Sequence, residues 1–399
     1  MTKNDHSLAL IVAAALVGLP ACANSGSSSS DGTGAPDAHG TTAAGGSSAA
    51  GGTTSSAGSS GNAGKGGGGS GAGGTTSGGG GGTSTSGGAP PYGGNTASGG
   101  ATASGGKSGT GGATGAGPAI QNVYIVLEEN HPWSAIKGNA NAPFMNGLLA
   151  RAAHSEQYYT PSALHPSEPN YVWLEGGSNF GLTTDADPSA TNLVKGKPHL
   201  VQLLNAAGIS WKSYQDGLTG TTCPIKSANR YAAKHDPMIF FDDVVGSPPS
   251  ATNAYCMAHH GSTTTLDADV KNGTTARYNF ITPNLDNDMH DGTIRQADDW
   301  LKAHIGPIVD SPTLMAHAAV FITWDEGSGN EADGPIGMIV VSPFAKPGYA
   351  DTAKPVLAYY THSSTLLTLQ KIFGVSQTPL GDAGKAGTRD LSDLFTTFP

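Results

Sequence analysis

The stretch VYIVLEENHPW, residues 123–133, joins the pattern of a buried strand to a cluster of polar side chains. Val123–Leu127 is an apolar run rich in β-branched residues, typical of strands whose two faces are both covered in a parallel sheet. The run ends at Glu128, Glu129 and Asn130. Such an end is either a solvated turn or part of a functional site, and the rest of the chain must decide between the two.

The region after residue 118 alternates between strand and helix patterns. Short apolar runs predict further strands at Ile209–Tyr214, Tyr278–Ile281, Ala318–Thr323 and Met338–Val341. Apolar residues at helical spacing predict helices at Ala142–His154 (capped by Asn141), His199–Ala207, Thr293–Ile305 and His362–Phe373. This alternation indicates an α/β fold with a mostly parallel central sheet and helices on both faces. In such sheets, ligands bind beyond the carboxyl ends of the strands.

Three of the predicted strands end in polar clusters. These are Glu128–Asn130, then Asn287–Asp291 shortly after the strand at 278–281, and Asp325–Gly327 after the strand at 318–323. Each alone could be a solvated turn, but three together are unusual in a chain with only 13% charged residues. Converging carboxylates repel one another unless a proton or a cation lies between them, and oxygen ligands favour Mg, Ca or Mn. The sequence therefore predicts a divalent metal site whose ion is not specified.

The segment HPSEPNYVWL, residues 165–174, predicts a short helix. Ser167 is placed as its N-cap, Pro169 is tolerated in the first turn, and Gly176 and Gly177 end the helix. Ser167 could be a cap and nothing more. A serine hydroxyl at a helix N-terminus beside a cation is also suited to attack a bound phosphate, because its alkoxide is stabilised and the backbone N–H groups face the anion.

The first 117 residues have a different character. Lys3 and the apolar Leu8–Leu19 are typical of an export signal, and the apolar stretch is shorter than the roughly 20 residues of a membrane-spanning helix. Leu19–Cys22 resembles a bacterial lipobox, in which Cys22 would be lipidated; the alternative is ordinary secretion. Residues 23–117 consist mainly of Gly, Ser, Thr and Ala, which predicts a disordered tether.

We therefore expect a signal peptide with a lipobox at 1–22, a tether at 23–117 and one folded domain at 118–399. The protein is expected to be exported, either as a cell-envelope lipoprotein or in secreted or periplasmic form. A membrane contact is predicted only through the lipid anchor. The net charge of -10 and the lack of a basic cluster argue against a nucleic-acid partner. Cys223 and Cys256, in an exported chain, predict one disulfide.

Taken together and in order, the polar motifs resemble the bacterial phosphoesterase family, which includes acid phosphatases and non-specific phospholipases C. The resemblance runs from about Asn122 to Phe395. The motifs that carry it are Glu129-Asn130, Pro166-Ser167-Glu168-Pro169-Asn170, Asn287-Asp288-Met289-His290-Asp291, Thr323-Trp324-Asp325-Glu326-Gly327 and Tyr360-Thr361-His362-Ser363-Ser364.

The resemblance implies an alkaline-phosphatase-like fold and a metal-dependent hydrolase of small phosphate esters that forms a phosphoserine. It places the nucleophile at Ser167. The residues that it places around the nucleophile are metal ligands Glu129, Asn130, Asp325 and Glu326, and pocket residues Asn170, Asp288, His290 and His362. Among these, His290 is our choice for the general acid, because it lies in a carboxylate-rich strand end.

Two features depart from the family pattern. The residues after Glu129-Asn130 are His131, Pro132 and Trp133, where the family often has Arg-Ser-Phe-Asp. The chain ends soon after Phe395, whereas phospholipase C members usually add C-terminal domains. We therefore expect a phosphomonoester substrate. The alternatives are a phospholipase C-type phosphodiesterase and a non-catalytic, metal-containing surface protein that binds a ligand.

The other histidines give weaker signals. His154, His199 and His304 lie on predicted helices and are expected to be solvated surface residues. His259 and His260 could reach a site, but the sequence does not decide this. The natural substrate and the oligomeric state leave no trace in the sequence.

Overall fold

A computed structural model of the protein describes residues 119–161, 164–328, 334–352 and 359–398. The predicted signal peptide, the lipobox at Cys22 and the tether lie outside the described residues. Within the described part of the chain, no helix is long and apolar enough to cross a membrane.

The centre of the structure is a sheet of eight strands in the order β5-β4-β6-β1-β7-β8-β2-β9. Only β8 of these eight runs against its neighbours, and every other pairing is parallel. The strands β3 and β10 form a separate parallel pair. The bounds are β1 Asn122–Glu128, β2 Ala153–Ser155, β3 Tyr158–Tyr159, β4 Trp211–Gln215, β5 His260–Gly261, β6 Tyr278–Thr282, β7 Ala318–Trp324, β8 Met338–Val341, β9 Ala350–Asp351 and β10 Tyr360–Thr361.

The two central strands are buried along almost their whole length. All seven residues of β7 are buried, as are six of the seven in β1. Successive side chains of a strand point to opposite faces, so both faces of the sheet are covered. Helices and loops provide this cover, and the predicted α/β class is confirmed.

The helices of the described residues are mostly short. The bounds are α1 Trp133–Ile136, α2 Pro143–Leu148, α3 Ser167–Gly176, α4 Leu200–Ala206, α5 Asp242–Val245, α6 Ala254–His259, α7 Thr263–Asn272, α8 Ile294–His304, α9 Gly306–Val309, α10 Pro312–Met315 and α11 His362–Ile372. Four 3-10 helices cover Ala233–His235, Pro237–Phe240, Gly381–Gly384 and Ser392–Leu394. The helix α3 packs against α11 and against the first two 3-10 helices.

The register of the central strands brings their carboxyl ends to one edge. Glu128 of β1 is paired with Trp324 of β7, and Val126 with Ile281 of β6. Because these strands are parallel, the loops that follow them all begin at the same edge. The polar clusters of the sequence are therefore neighbours in space.

One predicted helix is wrong over half its length. The segment predicted as a helix at 142–154 is helical only over Pro143–Leu148, with Ala142 rather than Asn141 as its N-cap. Ala153–Ser155 instead form β2, which pairs with Met338–Val340 of β8. Hydrogen bonds to a neighbouring strand, distant in sequence, decide this conformation, and local apolar spacing does not reveal them.

The prediction that His154 and His199 lie at the surface is also wrong. His154 is buried in β2, and His199 is fully buried. The Nδ1 of His199 lies 3.2 Å from Glu175 and its Nε2 2.9 Å from Asp243, and its ring stacks on Phe241 with centroids 3.8 Å apart. His304 is only partly exposed and pairs with an aspartate.

Cys223 and Cys256 form a disulfide with their Cα atoms 5.4 Å apart. It fixes α6, whose end leads directly to His260. The Nδ1–H of His260 donates to the Cys256 carbonyl (2.7 Å), and its Nε2 faces Asp236 at 3.2 Å. A carbonyl only accepts, so the contact of Nε2 with a carboxylate requires a second proton. Burial opposes that charge, but Asp236 overcomes it and raises the pKa of His260.

The His260–Asp236 pair should therefore stabilise the fold in a pH-dependent way. Because the folded pKa is above the unfolded value of about 6.5, the contribution is complete below about pH 6.5 and is lost as the pH rises through the folded pKa. His260→Gln should cost about 1.5–3 kcal/mol of unfolding free energy at about pH 5.5, and less at about pH 9. Urea denaturation at both pH values measures this.

His259→Gln is the matched control, since burial lowers the pKa of His259 and its Nδ1 bonds only to the Tyr255 carbonyl. Its cost should not shrink as the pH rises. An equal cost of His260→Gln at both pH values would contradict a charged pair.

Candidate active site

Ser167 begins α3 and is almost fully buried, with 2% of its surface exposed. The N-cap is Pro166, and Ser167 makes no side-chain cap, so the predicted capping role is wrong. Its hydroxyl instead donates to the Oε2 of Glu129 at 3.0 Å. The hydroxyl therefore bonds to the carboxylate that follows β1 and not to the backbone of α3. The structure thus joins the first polar cluster to the serine.

The other oxygen of Glu129 faces a buried histidine. Its Oε1 lies 3.0 Å from Nε2 of His235, and Nδ1 of the same ring lies 3.3 Å from Oδ2 of Asp288. Tyr171 of α3 stacks on the ring, with centroids 4.8 Å apart and planes 8° apart. Both ring nitrogens face carboxylates, which requires an imidazolium. The chain of contacts therefore runs from Ser167 through Glu129 and His235 to Asp288.

The pKa values of this chain follow from burial and charge. Burial opposes the imidazolium of His235, but Glu129 and Asp288 overcome it and raise its pKa to about 9. Burial also opposes the Glu129 carboxylate, but His235, with Lys234 and Tyr171, lowers its pKa to about 2. Burial raises the pKa of Asp288 despite its contact with His235. Glu129 and His235 are thus a charged pair, with Asp288 as the secondary partner.

The three other residues predicted as metal ligands, Asn130, Asp325 and Glu326, lie near Glu129. The backbone N–H of Asn130 donates to Oδ1 of Asp325 at 3.2 Å. The side-chain oxygen of Asn130 lies 3.1 Å from Oε2 of Glu129 and 3.3 Å from Oε1 of Glu326, and in the alternative orientation of the carboxamide its nitrogen would donate to both. Asn130 has a φ of 48°, a left-handed conformation that asparagine adopts more readily than most residues. The structure therefore brings all four predicted metal ligands together.

The chemistry of this group fits a hard divalent cation. The Oδ2 of Asp325 is buried and has no hydrogen-bond partner among the described residues. Burial, together with the charges of Glu129 and Glu326, raises the pKa of Asp325 well above its usual range. A cation would relieve that repulsion. Among the described residues, however, no three His, Cys, Asp or Glu side chains are already arranged as a metal cage.

The three residues predicted to bind substrate are all fully buried. Asn170 donates to Oε2 of Glu326 at 2.8 Å, and the backbone N–H of His290 donates to Oδ1 of Asp288 at 2.8 Å. His362 donates from Nε2 to the Asp325 carbonyl at 2.7 Å, and burial lowers its pKa to about 4. Asn170 and His362 thus bond to Glu326 and to the Asp325 backbone, whereas Asp288 contacts His235 and the backbone of His290.

His290 lies at the rim, with 28% of its side chain exposed. Its ring centroid is 6.0 Å from that of His235. The Nδ1 bonds to Asp291 at 2.7 Å, and the Nε2 lies 3.3 Å from the ammonium of Lys234. A lysine ammonium can only donate, so Nε2 accepts and the proton is on Nδ1. In this arrangement Nε2 of His290 is a hydrogen-bond acceptor and its Nδ1–H donates to Asp291.

Three residues of the site, Lys234, His235 and His165, were not predicted from the sequence. His235 bridges Glu129 and Asp288, Lys234 reaches the rim, and His165 lies with its Nδ1 2.7 Å from Oε2 of Glu326. One signal was available: the triplet Lys234-His235-Asp236 interrupts an apolar region that resumes at Pro237. Three adjacent ionisable residues are unusual in a chain so poor in charge.

The sequence matches the model of the phosphoesterase family over residues 138–376, which is more than half of the chain. The chain belongs to the phosphoesterase family. The family assignment and the phosphatases among its relatives make the chain a phosphoric ester hydrolase.

Two relatives illustrate this placement. A phosphatidylinositol-3-phosphatase of Mycobacterium tuberculosis is 32% identical over 264 residues, covering 65% of this chain and 79% of its own length. A probable acid phosphatase of Kluyveromyces lactis is 32% identical over 215 residues, covering 52% of this chain and 48% of its own length. The chain thus spans about half the length of the fungal phosphatases of this family.

A solved structure from the alkaline phosphatase superfamily, from Vibrio parahaemolyticus, aligns with a TM-score of 0.44 at 12% identity. The alignment covers 67% of this chain and 70% of the other. A likeness at this level carries no information about activity.

The buried ion pair generates a prediction about stability. His235→Gln would leave Glu129 and Asp288 without their cation, and breaking a buried pair in this way costs about 3–5 kcal/mol. Urea denaturation of the chain in the presence of a chelator should show that loss. His304→Gln, which breaks an ion pair with the half-exposed Asp267, should cost less than about 1 kcal/mol. Equal stability of the two variants would show that His235 is not a buried cation.

Proposed function

We propose that this phosphoesterase hydrolyses phosphate monoesters by two displacements through a phosphoserine at Ser167, with a divalent metal ion as cofactor. The observation that carries the proposal is the hydrogen bond of the Ser167 hydroxyl to Glu129, inside a group of three carboxylates. Ser167 is the first residue of α3, after the N-cap Pro166, and its hydroxyl bonds to a residue outside the helix.

The metal is proposed to be held by Glu129, Asn130, Asp325 and Glu326. Their oxygens favour Mg, Ca or Mn. When bound, the cation would supply charge neutralisation of phosphate oxygens and would lower the pKa of the Ser167 hydroxyl. The buried Oδ2 of Asp325 and the mutual repulsion of the carboxylates support this assignment.

In the first displacement, the Ser167 oxygen forms a bond to phosphorus and the bond from phosphorus to the leaving oxygen breaks. The hydroxyl proton leaves through the hydrogen bond to Glu129. Before this step His290 must release its contact with Lys234 and take up a proton at Nε2, and the leaving alcohol then takes that proton. In the second displacement, water gives a proton to Nε2 of His290 and attacks phosphorus. The bond from phosphorus to the Ser167 oxygen breaks, that oxygen takes its proton back from Glu129, and inorganic phosphate is released.

The remaining predicted residues have supporting roles in this proposal. Asn170 and His362 hold Glu326 and the Asp325 backbone, while Asp288 fixes both His235 and the backbone of His290. Phosphoryl transfer depends mainly on positioning and charge, so these contacts contribute to catalysis without touching the substrate.

The proposal extends to the substrate and to the location of the protein. The relatives are named phosphatases, which favours a monoester over the diester of a phospholipase C, and small phosphate monoesters are the proposed substrates. The sequence pattern of the first 22 residues favours an exported protein, with Cys22 as the lipidation site.

Removal of the nucleophile tests the phosphoserine proposal. Ser167→Ala should reduce kcat for a chromogenic phosphomonoester by about a thousandfold or more, because the covalent route is lost. Metal content, measured by elemental analysis, should stay at the wild-type level. Ser363→Ala, which alters a serine in α11 bonded to Trp173, is the control and should retain activity. Unchanged turnover in Ser167→Ala would remove this serine as the nucleophile.

Removal of a carboxylate tests the metal proposal. Asp325→Asn should lower both turnover and metal occupancy, because it removes one of the three negative charges around the ion. The measurements are elemental analysis after dialysis and turnover with and without EDTA. Wild-type turnover that is insensitive to EDTA, from protein that contains no metal, would contradict the proposal. A chromogenic phosphocholine diester assayed in parallel separates monoesterase from phospholipase C activity.

A further inference from the structure

Lys234 is the cation at the entrance to the site. It directly precedes His235 in the 3-10 helix Ala233–His235 and keeps 16% of its side chain exposed. His235, by contrast, is 1% exposed and lies between two carboxylates. Of these two neighbouring cations, Lys234 is therefore the one that an incoming anion can reach.

Asp185 fixes the ammonium of Lys234 relative to the nucleophile. Its Oδ2 lies 2.9 Å from the Nζ of Lys234, and its Oδ1 accepts the backbone N–H of Glu168 at 3.0 Å. Glu168 directly follows Ser167. One carboxylate thus links the first turn of the nucleophile helix to the lysine.

The ammonium has donor capacity to spare. It carries three N–H groups, of which Asp185 and Nε2 of His290 engage two among the described residues. The contact with His290 is to a neutral nitrogen, which an anionic oxygen would displace. Burial opposes the charge of Lys234, but Glu129, Asp185 and Asp325 outweigh it and raise its pKa. Lys234 is therefore charged at neutral pH.

A substrate that is a phosphate monoester dianion must approach the carboxyl groups of Glu129, Asp325, Glu326 and Asp288. The positive charge of His235 is paired with two of these, Glu129 and Asp288. A further cation is therefore needed to attract the substrate. A lysine ammonium is a compact point charge that binds phosphate oxygens well. We infer that Lys234 binds a nonbridging oxygen of the phosphoryl group and so selects anionic esters. This inference rests on the proposed function and assigns the residue that recognises the phosphate.

Binding of inorganic phosphate to the full chain tests the inference without any turnover. By isothermal titration calorimetry, Lys234→Gln should bind phosphate about ten- to a hundredfold more weakly than wild type, the loss expected for one charged hydrogen bond. Lys226→Gln is the matched control, since Lys226 pairs with Asp187 in the same way but is 69% exposed. It should bind phosphate like wild type. Wild-type affinity in Lys234→Gln, or no phosphate binding by wild type, overturns the inference.

A second measurement does not depend on the folding of the Gln variant. In protein with carbon-13-labelled lysines, phosphate should shift the resonance that is missing from the spectrum of Lys234→Arg. If phosphate leaves that resonance unmoved, Lys234 is not the ligand. Failure of the proposed function can be told apart from failure of this inference. In that case wild type would turn over no phosphomonoester, but Lys234→Gln would still bind phosphate more weakly than wild type.

Discussion

The position of Glu129 is the constraint on which the site depends. Its carboxylate serves two buried partners at once, the hydroxyl of Ser167 and the imidazolium of His235. A buried carboxylate is stable only where such partners are available, because burial of an unpaired charge is costly. Glu129 therefore ties the nucleophile helix and the 3-10 helix of His235 to the end of β1. Loss of any one of these contacts would leave the others partly unpaired.

The sheet makes that arrangement possible. Glu129 follows β1, Asp325 follows β7, and Asp288 belongs to the loop after β6, so neighbouring parallel strands deliver them to one edge. The backbone strengthens this placement, because the N–H of Glu129 donates to the Asp288 carbonyl and that of Asp325 to the Glu128 carbonyl. Main-chain bonds thus fix the backbone positions from which the acidic side chains extend. Among their oxygens, the buried Oδ2 of Asp325 has no hydrogen-bond partner in the described part of the chain.

Much of this could be predicted from the sequence because it depends on local pattern. The apolar runs predicted the ends of β1, β6, β7 and β8 to within one or two residues. The polar residues that follow three of these strands predicted the acidic group. Features that depend on partners distant in sequence were not predicted. Ala153–Ser155 became a strand only through β8, and His199 is buried only because Glu175 and Asp243 pair with it. His235 lies in a short 3-10 helix whose sequence has no apolar periodicity, and only the fold brings it to Glu129.

The central claim is that phosphoryl transfer passes through Ser167 in two displacements, and the stereochemical course at phosphorus tests it most directly. Each in-line displacement inverts the configuration of the phosphoryl group. The protein would be given a phosphate monoester made chiral at phosphorus with oxygen isotopes, together with an alcohol acceptor. The configuration of the product ester would be read by phosphorus-31 NMR. Two displacements predict net retention. Net inversion would show a single direct transfer and would contradict the phosphoserine.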